Sequence, residues 1–173
     1  MLLTDLIAEI CTIKIIGNVD VDIKNICADS RKVTPGDLFV AINGVAVNGH
    51  KFIGTAIENG AKVVFCEQCP TEINPEVTYV LVDDTTDCLG KLASAYYDYP
   101  SEKLIIIGVT GTNGKTTIAT LLYELYKELG YKVGLLSTVC NYINGRAIPS
   151  THTTPDALSL QKLLAEMAEE RCY

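Results

Sequence analysis

The sequence predicts an α/β protein, a small N-terminal α/β domain followed by the start of a parallel-sheet domain that looks truncated. Three observations carry this. Short apolar, strand-like runs alternate with stretches of helical periodicity along the chain. Residues 103–117, KLIIIGVTGTNGKTT, lead an apolar run through a Gly/Thr/Asn turn into Lys-Thr and a helical pattern. The chain has 173 residues, 48% hydrophobic and 20% charged, enough to bury a core.

The elements follow in order. Leu2, Leu3, Leu6, Ile7 and Ile10 make a helical stripe over 2–10. Strands are expected at 13–16 and 22–28. The polar stretch from Asp29 to Asp37 ends in a Pro35-Gly36 turn, and Leu38 to Ile42 is the next strand. Asn43-Gly44 and Asn48-Gly49 are turn dipeptides. Phe52, Ile53, Ala56 and Ile57 form a helix stopped by Asn59-Gly60. Lys62 to Cys66 and Val77 to Val82 are strands. Asp84 or Thr85 caps a helix over 86–98, with Leu89, Leu92, Ala93 and Tyr96 inward.

Pro100-Ser101 reads as a junction between domains at 1–100 and 101–173. Leu104 to Val109 is expected as a strand, 115–129 as a helix with Gly130 at its C′ position, and Lys132 to Leu136 as a strand. Residues 140–152 read as a polar loop. Thr154, Pro155 and Asp156 fit N-cap, N1 and N2 of a last helix over 155–171. After Pro100 only the Leu104 to Val109 and Lys132 to Leu136 strands are visible. A doubly wound nucleotide domain needs roughly five or more, hence the expectation of a truncated domain. Such a domain leaves an apolar, unpaired sheet edge through which the fragment is expected to self-associate.

The formal net charge is −7, and no basic patch stands out. Nucleic acid is therefore not an expected partner. No apolar run approaches the roughly 18 residues of a membrane helix, and Asp5 and Glu9 interrupt the first apolar stretch, so neither a membrane span nor a secretory signal is expected. Seven cysteines, an odd number, are scattered among strands and helices. That suits reduced thiols and a cytoplasmic location rather than a disulfide framework. Cys66-Glu-Gln-Cys69 stands alone, without a second Cys or His pair at zinc spacing. It reads as a strand-end cysteine followed by a loop cysteine.

The chemistry concentrates at Gly111, Thr112, Asn113, Gly114, Lys115, Thr116 and Thr117. Strand, glycine loop, Lys-Thr and helix together build a phosphate-binding loop. Glycines let the backbone curl so that several N–H groups face one anion. The helix N-terminus adds partial positive charge. Lys115 is expected to reach the β- and γ-phosphates of a nucleoside triphosphate, and the Thr116 hydroxyl to ligate Mg²⁺. Val109 stands where the common pattern has its first glycine, which marks a variant subclass.

Elsewhere the residues leave alternatives open. Asp29-Ser30-Arg31 fits either a grip on a phosphate or uracil edge, or a turn held by its own side chains. Thr151-His152-Thr153-Thr154-Pro155 fits a second anion site or ordinary capping. His50 and His152 are each single and read more simply as hydrogen-bonded residues. Tyr142 is the tyrosine expected to meet a ligand.

Taken together these residues resemble the Mur ligase family, most closely its MurE type. The resemblance rests on Asp29-Ser30-Arg31, on Pro35-Gly36-Asp37-Leu38-Phe39-Val40-Ala41, on Asn48-Gly49-His50 with Phe52-Ile53, and on Tyr99-Pro100-Ser101. It continues through the run from Gly108 to Thr117 and through Thr153-Thr154-Pro155. The loop ending in Thr116-Thr117 separates the chain from folylpolyglutamate synthases, and Thr-Thr-Pro favours the MurE type over the MurF type. The resemblance implies that Gly111 to Thr117 bind ATP, with Thr116 near Mg²⁺ and Lys115 and Thr116 catalytic. It implies that Ala28, Ser30, Val45, Ala46 and Val47 contact the uridine part of a UDP-N-acetylmuramoyl-dipeptide. Thr153 and Thr154 would contact the muramoyl-dipeptide, with His152 where similar proteins often carry Asn. The implied reaction activates a D-glutamate carboxylate as an acyl phosphate, which the amine of a diamino acid attacks. Meso-diaminopimelate is the first expectation and L-lysine the second. The family's carbamylated lysine, acidic metal ligands and C-terminal amino-acid site are not assignable to this chain, so residues 1–173 alone are expected to be inactive. The competing readings are a MurF-type ligase and a non-catalytic UDP-precursor or nucleotide-binding module.

Overall fold

Apolar β-branched runs pair into one five-stranded sheet in the first part of the chain. The structure, a computed structural model, describes residues 1–8, 10–44, 47–149 and 155–173. It divides into two compact units, Met1–Tyr96 and Tyr97–Tyr173.

In the first unit the strands are β1 (Lys14–Ile16), β2 (Ile26–Cys27), β3 (Leu38–Val40), β4 (Val63–Cys66) and β5 (Thr78–Leu81). The sheet order is β1-β5-β4-β3-β2. β2 to β5 run parallel, and β1 is antiparallel on the β5 edge. Helices α1 (Leu3–Ile7), α2 (Ile53–Glu58) and α3 (Thr85–Tyr96) accompany it. The central strands β3 and β4 are apolar at every position because both faces are covered. Phe39, Ala41, Val64, Cys66 and Tyr79 share a cluster with Ile53 and Ala56 of α2. Leu38, Val40, Val63 and Phe65 alternate to the opposite face and are equally buried.

Local chemistry sets the boundaries. Asp84 caps α3, its carboxylate accepting from the N–H groups of Thr86 (2.7 Å) and Asp87 (3.0 Å). The helix expected over 2–10 is only Leu3–Ile7, burying Leu3 and Leu6. The strand expected over 22–28 is a strand only at Ile26–Cys27, with Asp22 bridged singly to Leu2 and Asp29 then opening a 3-10 turn.

In the second unit, α4 is Lys115–Glu128 and α5 is Ala157–Glu169. β6 (Gly134–Leu135), β7 (Cys140–Ile143) and β8 (Arg146–Pro149) form an antiparallel sheet. Three local expectations are corrected here. Residues 140–149, expected as loop, form a hairpin, because Asn144 (φ 48°) and Gly145 (φ 86°) make a two-residue turn of the twisted hairpin type. The cap of the last helix is Asp156, not Thr154: its carboxylate accepts from Ser159 N–H at 2.8 Å, and Pro155 precedes the helix. Leu104 to Val109 forms no strand, and from Ile105 to Val109 no backbone hydrogen bond is made among the described residues. A strand exists only by pairing, and this segment finds no neighbour there. The core of this unit joins Ile143 of the hairpin to Leu164 and Met167 of α5, with Leu104, Leu136 and Ile148 packed against them.

Candidate functional site

The phosphate loop joins the Leu104 to Val109 segment to α4. Gly114 is the residue before the helix, in the left-handed region at φ 78°, and Gly111 has φ 150°. A side chain at either position would be strained; Gly108 has no such demand. Because Gly114 carries no side chain, nothing local caps the helix. The first intrahelical bond runs from Ile118 N–H to Gly114 O at 2.9 Å. The N–H groups of Lys115, Thr116 and Thr117 are thus left without a backbone partner among the described residues, where a helix N-terminus favours an anion.

Residues 110–118 are exposed. Lys115 folds back over the loop, its ammonium 2.5 Å from Gly111 O and 3.4 Å from Thr112 O. The Thr116 hydroxyl makes no hydrogen bond among the described residues. Free donors, one ammonium and one exposed hydroxyl fit a triphosphate with its Mg²⁺. No cluster of three His, Cys, Asp or Glu side chains occurs among the described residues. A cleft of about 470 Å³ lies beside the loop, lined by Ile105, Ile107, Tyr126, Tyr131 and Leu135, with Lys115 and Thr116 on it. Its walls are mainly apolar, so the phosphate chemistry stays with the loop.

In the first unit, the four parallel strands end at one edge of the sheet. Ala28 and Ser30 follow β2, and the segment from Ala41 to Asn48 follows the neighbouring β3. The crevice outside the carboxyl ends of parallel strands is where open α/β sheets hold ligands. Ala28 is exposed, and Ser30 is buried with its carbonyl accepting from Asn59 Nδ2 at 2.9 Å. The Ser30 hydroxyl makes no hydrogen bond among the described residues. Val47 is exposed; Val45, Ala46, His152, Thr153 and Thr154 lie outside the described residues.

Asp29-Ser30-Arg31 is a self-held turn. The Asp29 carboxylate accepts from Arg31 N–H (3.1 Å), Nε (2.9 Å) and Nη2 (2.8 Å). The Arg31 side chain first, then its backbone N–H, hold the Asp29 carboxyl down at about 2. Arg31 is thereby occupied within its own turn. Asp37 of the Pro-Gly-Asp turn is buried and accepts from Thr34 N–H (2.8 Å) and Oγ1 (3.0 Å), fixing the entry to β3.

Other candidates resolve into structure. Burial, then Cys69, push the Cys66 thiol up to about 12, and both cysteines are free; this disfavours a reactive thiolate. His50 is hydrogen-bonded at both ring nitrogens. Tyr142 lies on β7, its ring 5.4 Å from that of Tyr123.

Residues 22–97 match the family described as Mur ligase family, catalytic domain, and residues 109–173 match the Mur ligase middle domain. Two curated relatives are named UDP-N-acetylmuramoyl-L-alanyl-D-glutamate--2,6-diaminopimelate ligase. That of Parabacteroides distasonis is 52% identical over 99% of this chain and 35% of its own length. That of Bacteroides fragilis is 51% identical over 99% of this chain and 36% of its own. A solved structure of a ligase with the same name matches with a TM-score of 0.75 at 28% identity, covering 98% of this chain and 34% of that one. The MurF ligase of Thermotoga maritima in complex with ADP matches with a TM-score of 0.54 at 28% identity, over 82% of this chain and 29% of that one. The chain thus spans about a third of the length of the curated relatives it matches. With both halves matching domains of one family, and with a glycine loop whose free N–H groups suit phosphate, the chain belongs to the Mur ligase family.

Proposed function

We propose that this chain supplies the uridine-binding and ATP-binding parts of an ATP-dependent ligase of peptidoglycan precursor synthesis. The ligase adds a diamino acid, meso-diaminopimelate before L-lysine, to UDP-N-acetylmuramoyl-L-alanyl-D-glutamate. Residues 1–100 hold the UDP-precursor, and 101–173 begin the ATP-binding domain. The observation that carries the reading is the exposed loop from Gly111 to Thr117, with three unbonded N–H groups and Lys115 at one helix start. The names of the relatives supply the substrate.

A carboxylate has no leaving group, so its carbon resists attack by an amine. Transfer of the γ-phosphoryl group to the D-glutamate carboxylate gives an acyl phosphate and ADP. The amine then displaces phosphate, forming the amide and releasing a proton. Lys115 and the N–H groups of 115–117 hold the phosphates and offset charge as it moves. Thr116 would hold Mg²⁺, which would supply positive charge to offset that of the phosphates. Ser30, with Ala28, Val45, Ala46 and Val47, takes the uridine end, and His152, Thr153 and Thr154 the muramoyl-dipeptide end. We place the protein in the cytoplasm, from its nucleotide substrates and free thiols. The exposed apolar segment from Ile105 to Ile107 pairs with a second copy when nothing else covers it.

The test is an assay on a protein of the relatives' length with UDP-N-acetylmuramoyl-L-alanyl-D-glutamate, ATP, Mg²⁺ and one amino acid at a time. ADP release that requires both the precursor and a diamino acid is the expected result. A requirement for D-alanyl-D-alanine with a tripeptide precursor would move the chain to the MurF type. No turnover with any amine would leave a binding module.

A further inference from the structure

We propose that His50 is the positioning residue of the loop after β3, holding it in place for the uridine end of the precursor. The inference rests on the reading above that Val45, Ala46 and Val47 meet uridine. Its observations come from residues on either side of them.

The loop is pinched at its stem. Gly49 N–H donates to Ile42 O at 2.8 Å, and Asn43 pairs with Asn48 as an isolated antiparallel bridge. A stem fixes where a loop begins and ends, but not which way it leans. The His50 ring adds a second attachment. Its Nε2 lies 2.8 Å from the N–H of Glu67, the first residue after β4. Its Nδ1 lies 2.9 Å from Asn48 Oδ1, which also accepts the His50 N–H at 2.9 Å. A backbone N–H only donates, so Nε2 is the acceptor and the proton sits on Nδ1. One neutral ring thus ties the end of the loop to the end of the neighbouring strand.

The tie continues outward. Glu67 accepts from Thr85 N–H at 3.1 Å and from Thr85 Oγ1 at 2.8 Å, at the start of α3. The Glu67 carboxyl is held below its usual range, first by that N–H. Asn48, His50, Glu67 and Thr85 therefore form one hydrogen-bonded line across the carboxyl ends of β3, β4 and the segment after β5. That edge is where the sheet topology places a ligand. A loop braced at stem and flank loses less freedom on binding. His50 acts through the loop and touches no reacting atom.

The experiment titrates UDP into the chain by calorimetry and follows amide exchange at Glu67. His50→Ala is expected to weaken UDP roughly five- to tenfold, as for one lost part-buried bond plus loop ordering, and to speed exchange at Glu67. His50→Gln keeps an acceptor near the Nε2 position and is expected within about threefold of wild type. His50→Asn is too short to reach Glu67 and is expected to follow His50→Ala. Should His50→Ala not fold, the Gln and Asn variants carry the comparison. Wild-type UDP affinity in His50→Ala or His50→Asn, with exchange at Glu67 freed, would overturn the positioning role and leave the uridine reading intact. A lowered melting temperature with unchanged UDP affinity would also overturn it, as a purely structural effect. No UDP binding by the wild-type chain, with Glu67 protected, would instead overturn the uridine reading, and this inference with it.

Discussion

The ammonium of Lys115 lies 2.5 Å from the carbonyl oxygen of Gly111, four residues back along the same loop. The cation is satisfied there by the carbonyls of the loop that would cradle a phosphate. The side chain is exposed, so it can exchange those carbonyls for phosphate oxygens without opening the core.

Lys115→Ala is therefore expected to separate function from folding. In a protein of the relatives' length, kcat should fall by roughly a hundred- to a thousandfold, as when one positioned donor is removed from developing charge. The melting temperature should stay within about a degree, since the lost bonds are exposed. Turnover at the wild-type rate would rule out the assigned role.

The Asp29–Arg31 pair gives a pH prediction with a fixed sign. The Asp29 carboxyl is held at about 2, against an ordinary 3.8, by the Arg31 side chain and N–H. A depressed carboxyl stabilises the fold above its unfolded value and loses that contribution as pH falls through the folded one. The turn should stay closed at pH 4 and open as pH approaches about 2. An NMR titration of the Asp29 carboxyl carbon reads this directly. Arg31→Ala should return the midpoint toward 3.8; a wild-type midpoint already there would contradict the clamp.

Much of this was legible in the sequence, and the exceptions have physical reasons. The run Gly111 to Thr117 is read from local chemistry, since a loop and the helix after it need only neighbouring residues. The Asn144-Gly145 hairpin also had a local sign, an Asn-Gly between Cys140–Ile143 and Arg146–Pro149, which the polar composition around it hid. Asp156 caps the last helix because Ser159 N–H sits three residues on, at capping distance. The pattern of Leu104 to Val109 is strand-like, but pairing is non-local and no sequence window supplies the partner. His50 with Glu67, 17 residues apart, becomes visible only once β3 and β4 are paired.

Gly49 and Gly54 make a matched pair for stability. A Cβ on Gly49 would stand 2.6 Å from Ile42 O and 2.8 Å from Ile42 N, both backbone atoms that cannot yield cheaply. Gly49→Ala should cost about 2–3 kcal/mol in urea denaturation. Gly54, inside α2, has nothing within 4 Å, so Gly54→Ala should stabilise by roughly 0.5–1 kcal/mol through helix propensity. Equal effects of the two would show that the close approach at the loop stem is not rigid.

The exposed apolar segment of the second unit predicts concentration-dependent association of the chain. Ile105, Ile106 and Ile107 are 60%, 57% and 54% exposed, and their backbone groups are unbonded among the described residues. On α4 and its C-cap, Ile118, Leu121, Leu125 and Leu129 line one helical stripe and are 49–65% exposed. An extended segment with unbonded backbone groups and an exposed apolar helix stripe each offer a second copy something to bind, hydrogen bonds at the one and burial at the other. Sedimentation of the chain should show mass rising with concentration. Ile106→Lys should shift it toward monomer, because a charge on an edge opposes pairing. The exchange of amides 105–109 should be fast in dilute chain and slow as mass rises, since a strand partner protects them. A strictly monomeric wild type, with those amides already protected at the lowest concentration, would mean the edge is covered from within the chain.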